Sequence, residues 1–471
     1  MEISMRLLCL LLSATTLTAC TAGPDYERPS IALSSAFVSP VPAGETDPSW
    51  WRQFNDPVLD AIVGQVLAGS PDVEVATARV SQARAAAGAA GAARLPRLDG
   101  AGSAEAVSQS LQTPFGAAAD QLGFPRGYEL YQLGVQASWE IDLFGGLASG
   151  KKETLAQLQA SAADAASVRL TIIAETVDAY LQLRGLQTRL WVAERQLETR
   201  RSLFALVEQR VKEGVAPDRD LNRARGEAQG VEASLSPLRA GVAGQLHRLC
   251  ILMGRQAGEN CGGAANPAPI PAPLLPSGSS APIDLLRRRP DIVAAERRVA
   301  ASNARIGAAM SEYYPKISLG GLLGLSSVGT GRLLSGNALQ ASGGAGLRWR
   351  LFDFGRIDAE VAAARGGEAE ALALYRRTVL RATEDVENAL VRLSEGHVEV
   401  TVLEAQAASL KAARVQAQAA YEAGAVALID VLDADRALLD ASDMLAQARA
   451  QEARSSVAAI RALGGGYDRE T

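Results

Sequence analysis

Histidine is nearly absent, aromatics are few and proline is missing from long stretches, and each shortage excludes something. Two histidines, His247 and His397, occur in 471 residues. Neither has a ligand-spaced partner, so no metal site and no cofactor is expected. Aromatics are 5% of a chain that is 48% hydrophobic. Much of the apolar content is alanine, which suits closely packed long helices more than a bulky core. After residue 20 no run of 18 apolar residues occurs, so no transmembrane helix is expected. The net charge is −5 and no basic stripe is present, which argues against nucleic-acid binding. Gly320-Gly321 and Gly343-Gly344 lack the order of a phosphate loop, and no nucleophile and base stand in a catalytic constellation, so the chain reads as a non-enzyme. Proline is missing from residues 151–213 and from everything after Pro315, so helices there can run unbroken.

What is present is a duplicated device. YQLGVQASWEIDLFGG (131–146) alternates apolar and polar residues over six repeats, and GAGLRWRLFDFGR (344–356) does the same over a shorter span. Trp139, Phe144 and Gly145 recur 210 positions later as Trp349, Phe354 and Gly355. A strand of about 10–12 residues, apolar on one side and closed by an aromatic, has the form of a transmembrane β-barrel strand. A second duplication aligns residues 70–96 with 289–315 at an offset of 219, and its closing prolines are Pro96 and Pro315. Strands are expected near 98–107, 129–142, 316–327 and 340–352. Leu133, Val135, Leu347 and Trp349 then face lipid, and Gln136, Arg348 and Arg350 face the lumen or the strand–helix junction. Pro96, Phe144, Gly145, Pro315, Phe354 and Gly355 mark the junctions.

After each Phe-Gly the period changes to that of a long helix. Residues 151–213 as continuous helix would span about 95 Å. Gly214 and Gly424 sit where helix turns are expected, and Asp220 recurs as Asp430. Pro237 should kink or overwind the return helix. Arg287-Arg288-Arg289 reads as a solvated helix face rather than a basic patch. The expected organisation is a leader (1–19), an arm (20–50), a first repeat (51–255), a Pro-rich connector (256–281) and a second repeat (282–471). Leu17-Thr18-Ala19-Cys20 follows an apolar run and has the form of a lipoprotein box, which makes Cys20 the lipid attachment site. Four strands cannot close a barrel, and an open sheet would leave unpaired edges in lipid. Two copies would give eight strands and three would give twelve, and the strand pattern does not choose between them.

Several stretches together carry a family resemblance: CTAGPDYERP (20–29), WWRQFNDPVLDAIV (50–63), SWEIDLFG (138–145), IDLLRRRPDIVAAERRVAASNARIGAA (283–309), LFDFGRI (351–357), ALIDVLDADRALL (427–439) and LGGGY (463–467). The chain resembles outer-membrane efflux lipoproteins of the NodT/OprM type, within the TolC-like outer-membrane factor superfamily. The resemblance implies a mixed α and β membrane protein. It implies a homotrimer whose chains each give four strands to a 12-stranded outer-membrane β-barrel, continued by a long periplasmic α-helical barrel. The implied function is the exit duct of a tripartite efflux pump, with a periplasmic adaptor, an inner-membrane transporter of the RND class and outer-membrane lipid as partners. A duct for type I protein secretion is the alternative. The resemblance also places a periplasmic gate on the last long helix. Ile429, Asp433 and Arg436 lie at i, i+4 and i+7, on one helix face. By analogy Ile429 forms an apolar collar, Asp433 a carboxylate ring and Arg436 a tie between helices, with Asp430 second in line for the ring. The oxidising periplasm makes a Cys250–Cys261 disulfide an expectation, with two free thiols as the alternative.

Overall fold

The computed structural model describes residues 22–39, 47–259, 263–276, 281–284, 288–465 and 467. The main helices are α1 (Pro57–Gly69), α2 (Pro71–Ala92), α3 (Pro114–Gln121), α4 (Gly146–Lys212), α5 (Asp218–Leu252), α6 (Pro290–Met310), α7 (Arg356–Glu422) and α8 (Leu428–Ala462). The strands are β1 (Arg97–Ser108), β2 (Gly127–Ile141), β3 (Lys316–Val328) and β4 (Leu339–Arg348). The chain forms two compact units. The first gathers the described residues up to Pro29 with Ser81–Ala160 and Glu296–Ala373, and the second gathers Ser30–Val80, Ser161–Ala295 and Leu374–Thr471. Each unit therefore draws on both halves of the sequence.

The duplication is visible in the elements. Helices α4 and α7 are both 67 residues long, and α5 and α8 are both 35. Helix α5 runs unbroken through Pro237. In the first unit the four strands form one antiparallel sheet in the order β1-β2-β3-β4. Shifting β1 by 219 and β2 by 210 reproduces the β3–β4 pairing, so that Arg97↔Ser138 becomes Lys316↔Arg348. The register matches face to face. Gly102, Leu133, Leu325 and Leu339 lie in one row across the sheet, and Gly100, Val135, Leu323 and Ala341 in the next row on the same face. The opposite face carries Ser103, Gln132 and Ser326, then Asp99, Gln136, Leu322 and Ser342. Side chains alternate with period two, so this pairing leaves one face apolar and the other largely polar.

Strand β4 ends at Arg348, short of the expected 352, because among the described residues no strand neighbours its outer edge to hold residues 349–352. Helix α3, inside the β1–β2 loop, was not expected. Thr113 caps it by accepting from Gly116 N at 3.1 Å, and Pro114 opens it.

The described start of the chain is bound into the first unit. Ala22 N donates to Phe144 O at 2.9 Å. A Cβ on Gly23 would lie 2.4 Å from Gly307 Cα, so only two glycines permit this approach. The Tyr26 hydroxyl donates to the carboxylate of Glu296, which is fully buried, and Arg297 Nε donates to its other oxygen at 2.8 Å. Burial alone would push Glu296 up, but the hydrogen bonds from Arg297 and Tyr26 outweigh it and hold its pKa below the ordinary carboxylate value.

The second unit is built on a hydrophobic core of Trp50 and Trp51 with Leu59, Ile62, Val63 and Val66 of α1, Val177 and Leu181 of α4, Leu249 of α5 and Val457 of α8. Asp56 caps α1, accepting from Val58 N at 2.9 Å and Leu59 N at 3.3 Å, and it also takes the Tyr180 hydroxyl. Buried Arg184 ties α4 to the connector by donating to Asn266 O at 2.5 Å. Arg289 is largely buried rather than solvated. It pairs with Asp291 at 2.8 Å and Asp385 at 3.2 Å, and these two carboxylates compensate the burial of its charge.

Candidate functional site

The first candidate site is the wall formed by the sheet. Its apolar face stays exposed within the chain: Leu133 is 52% accessible and Leu347 67%. A face this apolar has to meet lipid or protein. On the polar face the two central rows are uncharged: Ser103, Gln132 and Ser326, then Ala101, Gly134, Gly324 and Gln340. Charges gather toward the helical end, where Arg97 pairs with Asp99 at 2.8 Å and Arg350 with Glu312 at 3.0 Å.

Each strand–helix junction is built twice from the same parts. Trp139 donates its indole N–H to Arg94 O at 2.9 Å, and Trp349 donates to Tyr313 O at 3.0 Å. Each tryptophan thus ties the end of its strand to the corner before Pro96 or Pro315. Gly145 and Gly355 adopt φ of 74° and 83°, and Phe354 adopts 56°. The left-handed turn explains why a glycine follows each phenylalanine. Asp142 accepts from Leu147 N at 3.0 Å and Ala148 N at 2.6 Å, and Asp353 from Gly355 N at 3.0 Å and Ile357 N at 2.8 Å. These carboxylates cap α4 and α7. Sequence reading passed over them because they stand two and one residues before their phenylalanines, so the offset of 210 does not align them. Phe144 stacks on Tyr314 with centroids 4.6 Å apart.

The second candidate site lies at the helix turns of the second unit. Both turns close in the same way. Val215 N donates to Arg210 O at 3.0 Å, and Ala425 N to Ala420 O at 2.9 Å. Gly214 and Gly424 supply φ of 79° and 74°, the geometry of a helix-ending αL residue. Leu203, Val207, Ala224, Tyr421, Leu428, Val431 and Leu432 form the apolar cluster that packs the two turns.

On α8 the acidic cluster separates into three environments. Asp430 is exposed and accepts from Ala427 N at 3.0 Å, so it caps its own helix. Asp435 is buried, pairs with Arg414 Nε at 2.9 Å, and lies on the packed face with Val431 and Leu432. Asp433 and Arg436 are exposed, and neither has an ion pair to another described residue. Ile429 is half-buried on the same side of the helix. Ile429, Asp433 and Arg436 therefore share a side of α8, on which Asp433 and Arg436 are exposed within the chain.

Sequence reading missed Arg200 and Gln196. Arg200 is buried and donates to Leu432 O at 3.4 Å, and Gln196 donates to Asp435 O at 3.3 Å. No local signal identified them, because each answers to a backbone carbonyl more than 230 positions away. His397 Nδ1 lies 2.8 Å from Glu452 Oε1. Among the described residues no group of His, Cys, Asp and Glu is placed to hold a metal ion. Cys250 is disulfide-bonded, and Cys261 lies outside the described residues, as does Cys20.

Residues 62–255 and 281–465 match the family described as outer membrane efflux protein. The pyoverdine export outer membrane protein OpmQ of Pseudomonas putida is 31% identical over 99% of this chain and 98% of its own length. Nodulation protein T of Rhizobium leguminosarum bv. trifolii is 30% identical over 96% of each chain. The solved structure of the outer-membrane channel OprN aligns with a TM-score of 0.86 at 34% identity, covering 95% of this chain and 99% of that one.

Proposed function

This chain belongs to the outer membrane efflux protein family, and we propose that it is the exit duct of a tripartite pump, working as a trimer with a periplasmic adaptor and an inner-membrane RND transporter. The observation that carries this reading is the sheet: four strands, one apolar face and two unpaired edges. Such a sheet is stable in lipid only when further copies close it. Three copies of four strands give a 12-stranded barrel, wide enough for a channel, whereas eight strands leave an interior filled by side chains. The polar face then lines a lumen whose middle is uncharged, and long helices extend into the periplasm as a tunnel. At the helix turns, Ile429, Asp433 and Arg436 from each chain converge on the axis as a resting gate. A ring of like carboxylates near an axis binds cations and resists passage. Cys20 carries the lipid anchor, two residues before the Ala22–Phe144 bond that holds the arm at a strand–helix junction. Export of pyoverdine is what the name of the P. putida relative describes, which favours efflux over protein secretion. Mass measurement in mild detergent should give a trimer, and planar bilayers should show channels of low resting conductance. A dimer, or a protein without conductance when Asp433 and Arg436 are removed, overturns the reading.

A further inference from the structure

Two adjoining cavities in the second unit share Arg461 of α8. The smaller, about 260 Å³, is walled by α4, α7, α8 and the start of α6, and the larger, about 550 Å³, by α4, α5 and α8. Both open on one side of α4. Ser167, Thr171, Asp178 and Gln182 line them, whereas Ile173, Val177, Tyr180 and Leu183 of the same helix lie in the hydrophobic core. With 3.6 residues per turn these two sets point in opposite directions.

Every carboxylate that lines the cavities is already engaged. Asp291 and Asp385 both accept from Arg289. Asp178 is held through both oxygens by Arg454, at 2.7 and 3.1 Å, and Glu175 by Arg248 at 2.6 Å. Arg289 Nη1 also takes up the carbonyl of Ala462 at 3.2 Å. The donors are not engaged. Arg392 and Arg461 make no ion pair and no side-chain hydrogen bond to another described residue, and the hydroxyls of Ser167 and Thr171 make none either. Elsewhere on α4 a threonine hydroxyl donates to the carbonyl four residues back, as Thr176 and Thr188 do. The smaller cavity is therefore rich in open donors and has no open carboxylate.

We propose that these cavities form a binding site for a small organic anion. Its carboxylate, sulfonate or phosphate group sits between Arg392 and Arg461, and the body of the molecule lies in the larger cavity. This rests on the reading of the chain as an exit duct and adds a chemical class of cargo. In a tunnel the side of α4 packed under α1 and the connector faces outward, so the side with the cavities faces the bore and meets cargo in transit. A guanidinium offers parallel N–H donors that match two oxygens of an oxyanion, and it stays charged at any periplasmic pH. A cationic molecule finds only carboxylates that it would have to take from a bound arginine. The site is open to water, so its attraction is screened by salt, and a cargo that binds there can also leave.

Equilibrium binding of 5-carboxyfluorescein to the full chain in neutral phosphatidylcholine nanodiscs tests the site, with the cation rhodamine 123 as comparison. Carboxyfluorescein should bind saturably, one per chain, and more weakly as salt rises, while rhodamine 123 should not saturate. Arg392→Gln with Arg461→Gln should weaken carboxyfluorescein by about ten-fold or more. Arg461→Lys, which keeps the charge and loses the fork, should fall between that variant and wild type, and it serves if the double variant does not assemble. Arg195→Gln removes an exposed arginine that pairs with Glu198 and lines neither cavity, and should bind as wild type does. Absence of saturable binding, equal binding of both dyes, or an unchanged affinity in the double variant overturns the site. Inorganic phosphate displacing the dye at equal concentration overturns the place given to an organic body. A trimer that conducts but binds no carboxyfluorescein sinks the site and leaves the duct standing, whereas a wild-type protein without conductance sinks the duct reading itself.

Discussion

Leu322 and Leu323 are adjacent and identical, yet they should respond in opposite ways to arginine. Leu323 lies on the apolar face, opposite Val135 and Ala341, and Leu322 lies on the polar face, opposite Gln136 and Ser342. Both stand at the middle of β3, the longest distance from either membrane interface. Leu323 is 54% accessible within the chain, so replacing it opens no cavity and the cost is that of placing a cation in hydrocarbon. That cost is about 2–4 kcal/mol at the bilayer midplane. Three copies make it about 6–12 kcal/mol per closed barrel. Leu322→Arg puts the same charge into a water-filled lumen, where the change should stay within about 0.5 kcal/mol. Folding into lipid vesicles, followed by guanidinium titration, reads the difference directly. Leu323→Arg should move the midpoint strongly to lower denaturant, and Leu322→Arg should leave it near wild type. Equal shifts, or a larger shift for Leu322→Arg, would refute the assignment of faces.

Four further outcomes are expected. Asp433→Ala with Arg436→Ala should raise resting single-channel conductance and admit large antibiotics such as vancomycin. If that double variant conducts like wild type while Gln340→Ala in the sheet alters conductance, the constriction lies elsewhere. Trp139→Phe and Trp349→Phe should each lower stability by about 1 kcal/mol, one hydrogen bond, read as equal shifts in urea midpoint; unequal shifts would show that the twin junctions are not equivalent. Glu296 has a folded pKa held below its unfolded value of about 4.3. Its contribution is therefore complete above that value and is lost as pH falls through the folded pKa. Glu296→Gln should destabilise by about 1–3 kcal/mol at neutral pH and by less in acid, so a penalty that does not change between pH 7 and pH 3 would reject the ionised pair. Thiol labelling of unreduced protein should find Cys250 and Cys261 unreactive, and two reactive thiols would exclude a bridge between them.

Strands, junctions and helix turns were legible in the sequence because each rests on a local rule. Alternation of period two located β1 to β3 within two residues of their observed ends, and only β4 fell short, at the edge where a neighbour is missing. Gly145, Gly355, Gly214 and Gly424 could be read because a left-handed turn tolerates little else. Residues whose role depends on a distant partner were not legible. Asp435 belongs to the same acidic run as Asp433, and nothing in the run separates them. Only the arrival of Arg414 from the preceding long helix sends Asp435 inward and leaves Asp433 exposed. The same physics explains the arm, where Tyr26 gains its meaning from Glu296, 270 positions later.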